Sequence, residues 1–117
     1  MLGLSAQHKF YFYNGVTDLR KGFDGLCGLV RGQMAGNPLD GSVYIFVNRK
    51  RDKMKILVWE PSGFLLYYKR LERGTFELPK TNTNNNKMEL SWQTLMLMIQ
   101  GISLQKIMQR KRYNRVG

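Results

Sequence analysis

A metal-dependent site for cutting or joining strands would have to be built from eight carboxylates: Asp18, Asp24, Asp40, Asp52, Glu60, Glu72, Glu77 and Glu89. Two-metal phosphoryl chemistry needs several of them to converge on a pair of cations. Their positions argue against convergence. Asp18 and Asp24 are six residues apart on one predicted helix and do not share a face well. Asp18 reads as a helix cap, and Asp52 belongs to a turn. Glu60 ends a strand. Glu72 and Glu77 flank a basic segment, where ion pairing accounts for them. His8 and Cys27 are the single histidine and the single cysteine. A histidine-based zinc site is not expected from them, and no Ser–His or His–Cys pair stands out. Cys27 lies next to an apolar helix face and reads as a small buried hydrophobe. Gly22, Gly25 and Gly28 do not make a phosphate loop, because they fall within a helix and lack the following Lys-Ser/Thr. The expectation is a protein that is not an enzyme and carries no metal and no cofactor.

The other chemistry on offer is cationic. The 117 residues hold 19 Lys and Arg against 8 Asp and Glu, a formal net charge of +11. So small a body with that surplus attracts polyanions. The charge is clustered. Arg49, Lys50, Arg51, Lys53 and Lys55 crowd a predicted hairpin tip. Lys69, Arg70 and Arg73 surround Tyr67 and Tyr68. Lys106, Arg110, Lys111, Arg112 and Arg115 are interleaved with Tyr113 and Asn114. A rigid hairpin can present such side chains to a groove or a phosphate row, and Tyr and Arg planes can stack on unpaired bases. Six phosphate contacts would give a log–log salt slope of roughly −5 on duplex DNA. A membrane is the weakest partner, since no run approaches the roughly 18 apolar residues a span requires. The N-terminus shows no signal-peptide pattern, and one cysteine excludes an internal disulfide, so a cytoplasmic location is expected.

The elements that must position these residues read as α+β. His8–Tyr13 is an aromatic strand followed by an Asn14-Gly15 turn. Thr17 or Asp18 is expected to cap a helix whose apolar face is Leu19, Phe23, Leu26, Val30 and Met34. On that assignment Phe23→Ala should cost roughly 3–5 kcal/mol. Gly22, Gly25 and Gly28 form a smooth stripe suited to close packing on a sheet or a partner. Ser42–Asn48, Lys53–Glu60 and Phe64–Leu71 read as an antiparallel meander, to which Thr75–Leu78 could add a short strand. Residues 79–87 hold four Asn and read as a loop, and Met88–Leu90 as a short strand. Ser91 caps a helix with Trp92, Leu95, Met96 and Ile99 on one face, ended by Gly101. Ser103 could cap a third. The expected whole is a meander of four to five strands packed with an N-terminal helix and one or two C-terminal helices. It forms one domain over 1–105, with a basic tail over 106–117.

Thr17-Asp18-Leu19-Arg20-Lys21-Gly22-Phe23-Asp24-Gly25-Leu26 resembles the hallmark segment of a mobile-element family. This is the TnpB-type accessory protein, encoded by the second reading frame of the insertion-sequence sixty-six family. The similarity continues through Asn37-Pro38-Leu39-Asp40-Gly41, Val43–Asn48, Arg51–Trp59, Gly63-Phe64, Tyr68–Gly74, Phe76 and Gly101-Ile102. It therefore covers most of residues 4–104 in order. The resemblance implies a role in transposition beside a separate, larger transposase that carries the catalytic acidic residues. It also implies DNA at the transposon ends and that transposase as partners. Charged positions within the matched segments are Arg20, Lys21, Asp24, Arg51, Lys55, Lys69, Arg70 and Arg73. A second reading is an adaptor that docks on the transposase without touching DNA. It would use the glycine stripe and exposed aromatics of strands 43–48 and 64–71.

Overall fold

The computed structural model describes residues 3–79 and 86–101. They form a five-stranded sheet with a helix against each face, an α+β fold in three layers. The chain runs β1 (Phe10–Tyr13), α1 (Phe23–Gly32), β2 (Val43–Val47), β3 (Lys53–Glu60), β4 (Gly63–Arg70), β5 (Lys87–Leu90) and α2 (Trp92–Ile99). Spatial order across the sheet is β4-β3-β2-β1-β5.

The meander is β2-β3-β4, antiparallel throughout, with Ile45 opposite Ile56 and Leu57 opposite Leu66. The sheet departs from the expected simple meander at β1. This strand lies inside the sheet, parallel to β2 with Phe10 opposite Val43 and antiparallel to β5 with Phe10 opposite Leu90. The parallel pair follows from connectivity, because α1 returns the chain to the start of the next strand as a βαβ crossover. β1 then has a strand on each side; Phe10 and Phe12 are buried on one face, and Tyr11 and Tyr13 are half-buried on the other. Thr75–Leu78 forms no strand; Phe76 instead drops into the core at 1% exposure.

Period-two alternation sorts the side chains to the two faces. One face carries Phe10, Phe12, Val43, Ile45, Val47, Met54, Ile56 and Val58 and is covered by Leu95 and Met98 of α2. Trp92 reaches the same layer, its ring 5.6 Å from that of Phe10. The other face carries Tyr44, Phe46 and Leu57 and is covered by Leu19, Leu26, Cys27, Val30 and Met34. Each fully buried Leu, Ile or Phe stabilises by roughly 1.5–3 kcal/mol, so these two layers dominate the energetics. At α2 the expected cap is present: Ser91 Oγ accepts from the Thr94 N–H at 3.1 Å, and Gly101 leaves the helix at φ 71°.

At α1 the start and one face residue differ from expectation. The helix begins after Gly22, with no side-chain cap. Asp18 is instead held by Arg20 in the turn ahead of it, and Thr17 is buried. Leu19 still reaches the core from that turn, but Phe23 is 45% exposed, its ring lying 6.4 Å from that of Phe64. The spacing of three and four runs continuously from Leu19, but the helix starts little more than one turn later, at Phe23, whose ring falls outside the buried face. The glycine stripe packs on no sheet: a Cβ at Gly22 or Gly28 would meet nothing within 4 Å, and one at Gly25 only the Lys21 side chain. The expected third helix, the tail and most of the Asn-rich stretch lie outside the described residues.

Candidate nucleic-acid interface

Register fixes which cations meet. Val47 faces Met54 and Lys53 faces Arg70, so the β2–β3 connection and the end of β4 share one end of the sheet. Asn48 builds that connection. Its Oδ1 accepts from the backbone N–H groups of Asp52 (3.1 Å) and Lys53 (3.0 Å), and its Nδ2 donates to Asp52 Oδ1 at 2.7 Å. The amide holds the Asp52 carboxyl below its ordinary pKa. Arg51 donates its N–H to Asn48 O at 3.1 Å and takes a left-handed φ of 59°. From outside, the Leu71 N–H binds Asp52 O (2.7 Å) and the Phe76 N–H binds Arg51 O (2.6 Å). Six backbone and side-chain bonds thus fix a short loop whose Arg49, Lys50 and Arg51 side chains are exposed. None of the three has a hydrogen bond or ion pair among the described residues.

Beside this tip, on the α1 face, is a groove of about 630 Å³. Its walls are Val16–Arg20 on one side and Asn48, Arg49, Lys50, Lys53 and Tyr68 on the other. Asp18 and Arg20 form a two-pronged pair, with Arg20 Nη2 2.7 Å from Oδ2 and Arg20 Nε 3.0 Å from Oδ1. The guanidinium holds the Asp18 carboxyl well below the usual carboxylate range. Thr17 Oγ1, in the same wall, is buried with no hydrogen-bond partner. Such a group costs about 1–3 kcal/mol.

The sequence-predicted cations separate by their place in the fold. Arg20, Arg49, Lys50 and Lys53 line the groove, with Arg51 at the adjoining tip. Arg70 stands opposite Lys53 on the same face and is drawn to Glu72 at 3.1 Å. Lys55 donates to Lys21 O at 2.9 Å, so it ties the turn before α1 to the sheet. It serves the groove by positioning rather than by presenting a free charge. Lys69 falls on the other face, where its ammonium donates to Ile99 O at the end of α2. There it offsets the helix's terminal carbonyls. Arg73 is exposed on the loop behind the tip. Lys106, Arg110, Lys111, Arg112 and Arg115 lie outside the described residues. The role of Asn48 is the part not read from the sequence, as is the placing of Tyr68 beside Arg49 and Lys50 rather than only beside Lys69, Arg70 and Arg73. An Asn directly before Arg-Lys-Arg-Asp is an Asx-turn signal that could have marked the first.

Among the described residues no group of three or more His, Cys, Asp and Glu could hold a metal ion. No described helix is long and apolar enough to cross a membrane.

A parallel β1–β2 pair, a meander and two covering helices define a small α+β protein with a cationic tip at one end of its sheet. The family model described as IS66 Orf2 like protein matches residues 8–109, and the chain belongs to that family. The family consists of accessory proteins of IS66 insertion elements, so an accessory role in transposition follows. Two relatives come from Sinorhizobium fredii (strain NBRC 101917 / NGR234), both uncharacterized. Protein y4hO is 29% identical over 117 residues, all of both chains. Protein y4jC is 25% identical over 107 residues, 92% of this chain and 90% of its own. No solved structure matches the chain with significance.

Proposed function

We propose that this protein is a non-catalytic accessory factor of transposition that binds DNA through the tip and groove at the cationic end of its sheet and so assists a separate transposase. The observation that carries the reading is the tip: the Arg49, Lys50 and Arg51 side chains are exposed side by side on a braced loop, with no acidic partner among the described residues. Clustered cations of this kind attract a polyanion. Arg49 and Lys50 also line the adjoining groove. Phosphate contacts of this kind supply affinity and orientation but no sequence readout.

The test is a binding titration at two salt concentrations on terminal inverted repeats of the element and on random DNA. The expected result is binding to both that weakens steeply with salt. Salt-insensitive binding, or none to either, removes the reading.

The adaptor alternative has one observation in its favour: the outer side of α1, with open space over Gly22 and Gly28 and the half-exposed Phe23 ring. It loses the aromatics of strand 43–48, because Tyr44 and Phe46 are fully buried. Co-purification with the transposase after nuclease treatment distinguishes the two. Retention with DNA removed favours docking, and loss favours DNA.

A further inference from the structure

We infer that the groove takes an unpaired stretch of DNA strand, with one base lying on the ring of Tyr68. The inference rests on the DNA-binding reading above and adds the form of nucleic acid. Tyr68 is 56% exposed although it sits in a strand of the sheet. Its ring lies in the groove wall among Arg20, Arg49, Lys50 and Lys53. The ring is also held in place. Lys55, opposite it across the β3–β4 pair, sets its ammonium over the ring at 5.2 Å from the centroid. That ammonium is itself pinned to Lys21 O at 2.9 Å. A fixed aromatic plane with a cation behind it and cations around it is the arrangement that stacks a base and follows its backbone.

A duplex does not use such a site. Its bases are stacked on one another, and its convex outer surface meets a concave groove only at phosphates. The groove is open to solvent and has a volume of about 630 Å³, so an unpaired nucleotide can enter it from the side. Tyr68 carries no charge, so stacking and phosphate neutralisation can be removed independently.

The experiment measures fluorescence anisotropy of a labelled oligo(dT) strand and of a labelled duplex of the same length. The proteins are the full chain, Tyr68→Ala, Tyr68→Phe and the Arg49→Ala/Lys50→Ala/Arg51→Ala triple variant. The parent should bind the strand more tightly than the duplex. Tyr68→Ala should weaken strand binding by roughly 5- to 150-fold, the range for one lost base–aromatic stack. Its duplex binding and salt slope should be unchanged, and Tyr68→Phe should bind like the parent. Circular dichroism confirms that the exposed-site variants fold. Equal loss on strand and duplex, no loss on the strand, or a parent that prefers duplex overturns the inference. Salt-dependent binding without strand preference overturns only this inference. Indifference of the triple variant to both ligands overturns the DNA-binding reading itself.

Discussion

At one end of the sheet, polar groups are consumed by each other. Asp40 Oδ1 accepts from the Ser42 N–H at 2.8 Å, and the Tyr44 hydroxyl lies 3.2 Å from both Asp40 Oδ2 and Asn37 O. Burial and the Asp40 charge push the Tyr44 pKa up to about 12. The nearby β3–β4 turn is only Pro61-Ser62, with Ser62 at φ 84°. At the other end the chain spends five residues, Asn48–Asp52, where two would reverse it, and leaves the side chains of Arg49, Lys50 and Arg51 without an acidic partner among the described residues. The bonds of Asn48 brace the backbone there but neutralise none of that charge. An end that only had to close the sheet would look like the first. The second is built stiff and left electrostatically open, which is the condition for meeting a polyanion without reorganising.

The contrast can be broken in four ways, taken from the largest expected effect down. Replacing Arg49, Lys50 and Arg51 together with Ala should reduce the DNA salt slope by up to about three and leave the melting temperature unchanged. An unchanged slope means the open end is merely solvated. At the closed end the effect is on stability against pH. The folded pKa of Tyr44 is raised, so its contribution is complete below pH 10, the ordinary tyrosine value, and is lost as pH rises through about 12. The loss should be on the order of 2 kcal/mol. It should shrink in Tyr44→Phe, read as denaturant midpoints across that window; an identical alkaline slope in the variant would count against the buried-hydroxyl account. Asn48→Ala deprives two backbone N–H groups of their acceptor and should cost about 1–2 kcal/mol. It should also weaken DNA binding, although no charge is removed; a weaker fold with parental affinity would show that stiffness at the tip is irrelevant. Smallest is Ser62→Gly, which relieves a left-handed serine and should gain roughly 0.5–1 kcal/mol in denaturant unfolding with no change in DNA binding.

Much of this was legible because alternation and turn residues act locally. Lys53–Glu60 reads directly as a strand, and its two faces sort as Lys55, Leu57 and Trp59 against Ile56, Val58 and Glu60. Ser91 and Gly101 mark the ends of α2 by their capping chemistry. What local signals do not carry is partner choice. Nothing in Phe10–Tyr13 states that β2 lies on one side in parallel and β5 on the other, because that pairing is decided by the α1 crossover and by residues some 75 positions away. Phe23 was misplaced for a related reason: Asp18 had a stronger partner in Arg20 than in a helix N-terminus, and the cap moved. The cationic cluster at the tip was visible in Arg49-Lys50-Arg51, but its convergence with Arg20 into one groove depends on tertiary packing. So does the separation of Lys69 onto the other face.

The central position of β1 has a consequence for how the chain is made. Its pairing with β2 becomes available once residue 47 has emerged from the ribosome, but its second edge stays bare until Lys87–Leu90 follows. During that interval an aromatic strand exposes unpaired backbone groups, a template for pairing with another nascent chain. A product released after Pro79 would keep the meander and this open flank. Such premature termination should therefore yield aggregates rather than a weakened monomer.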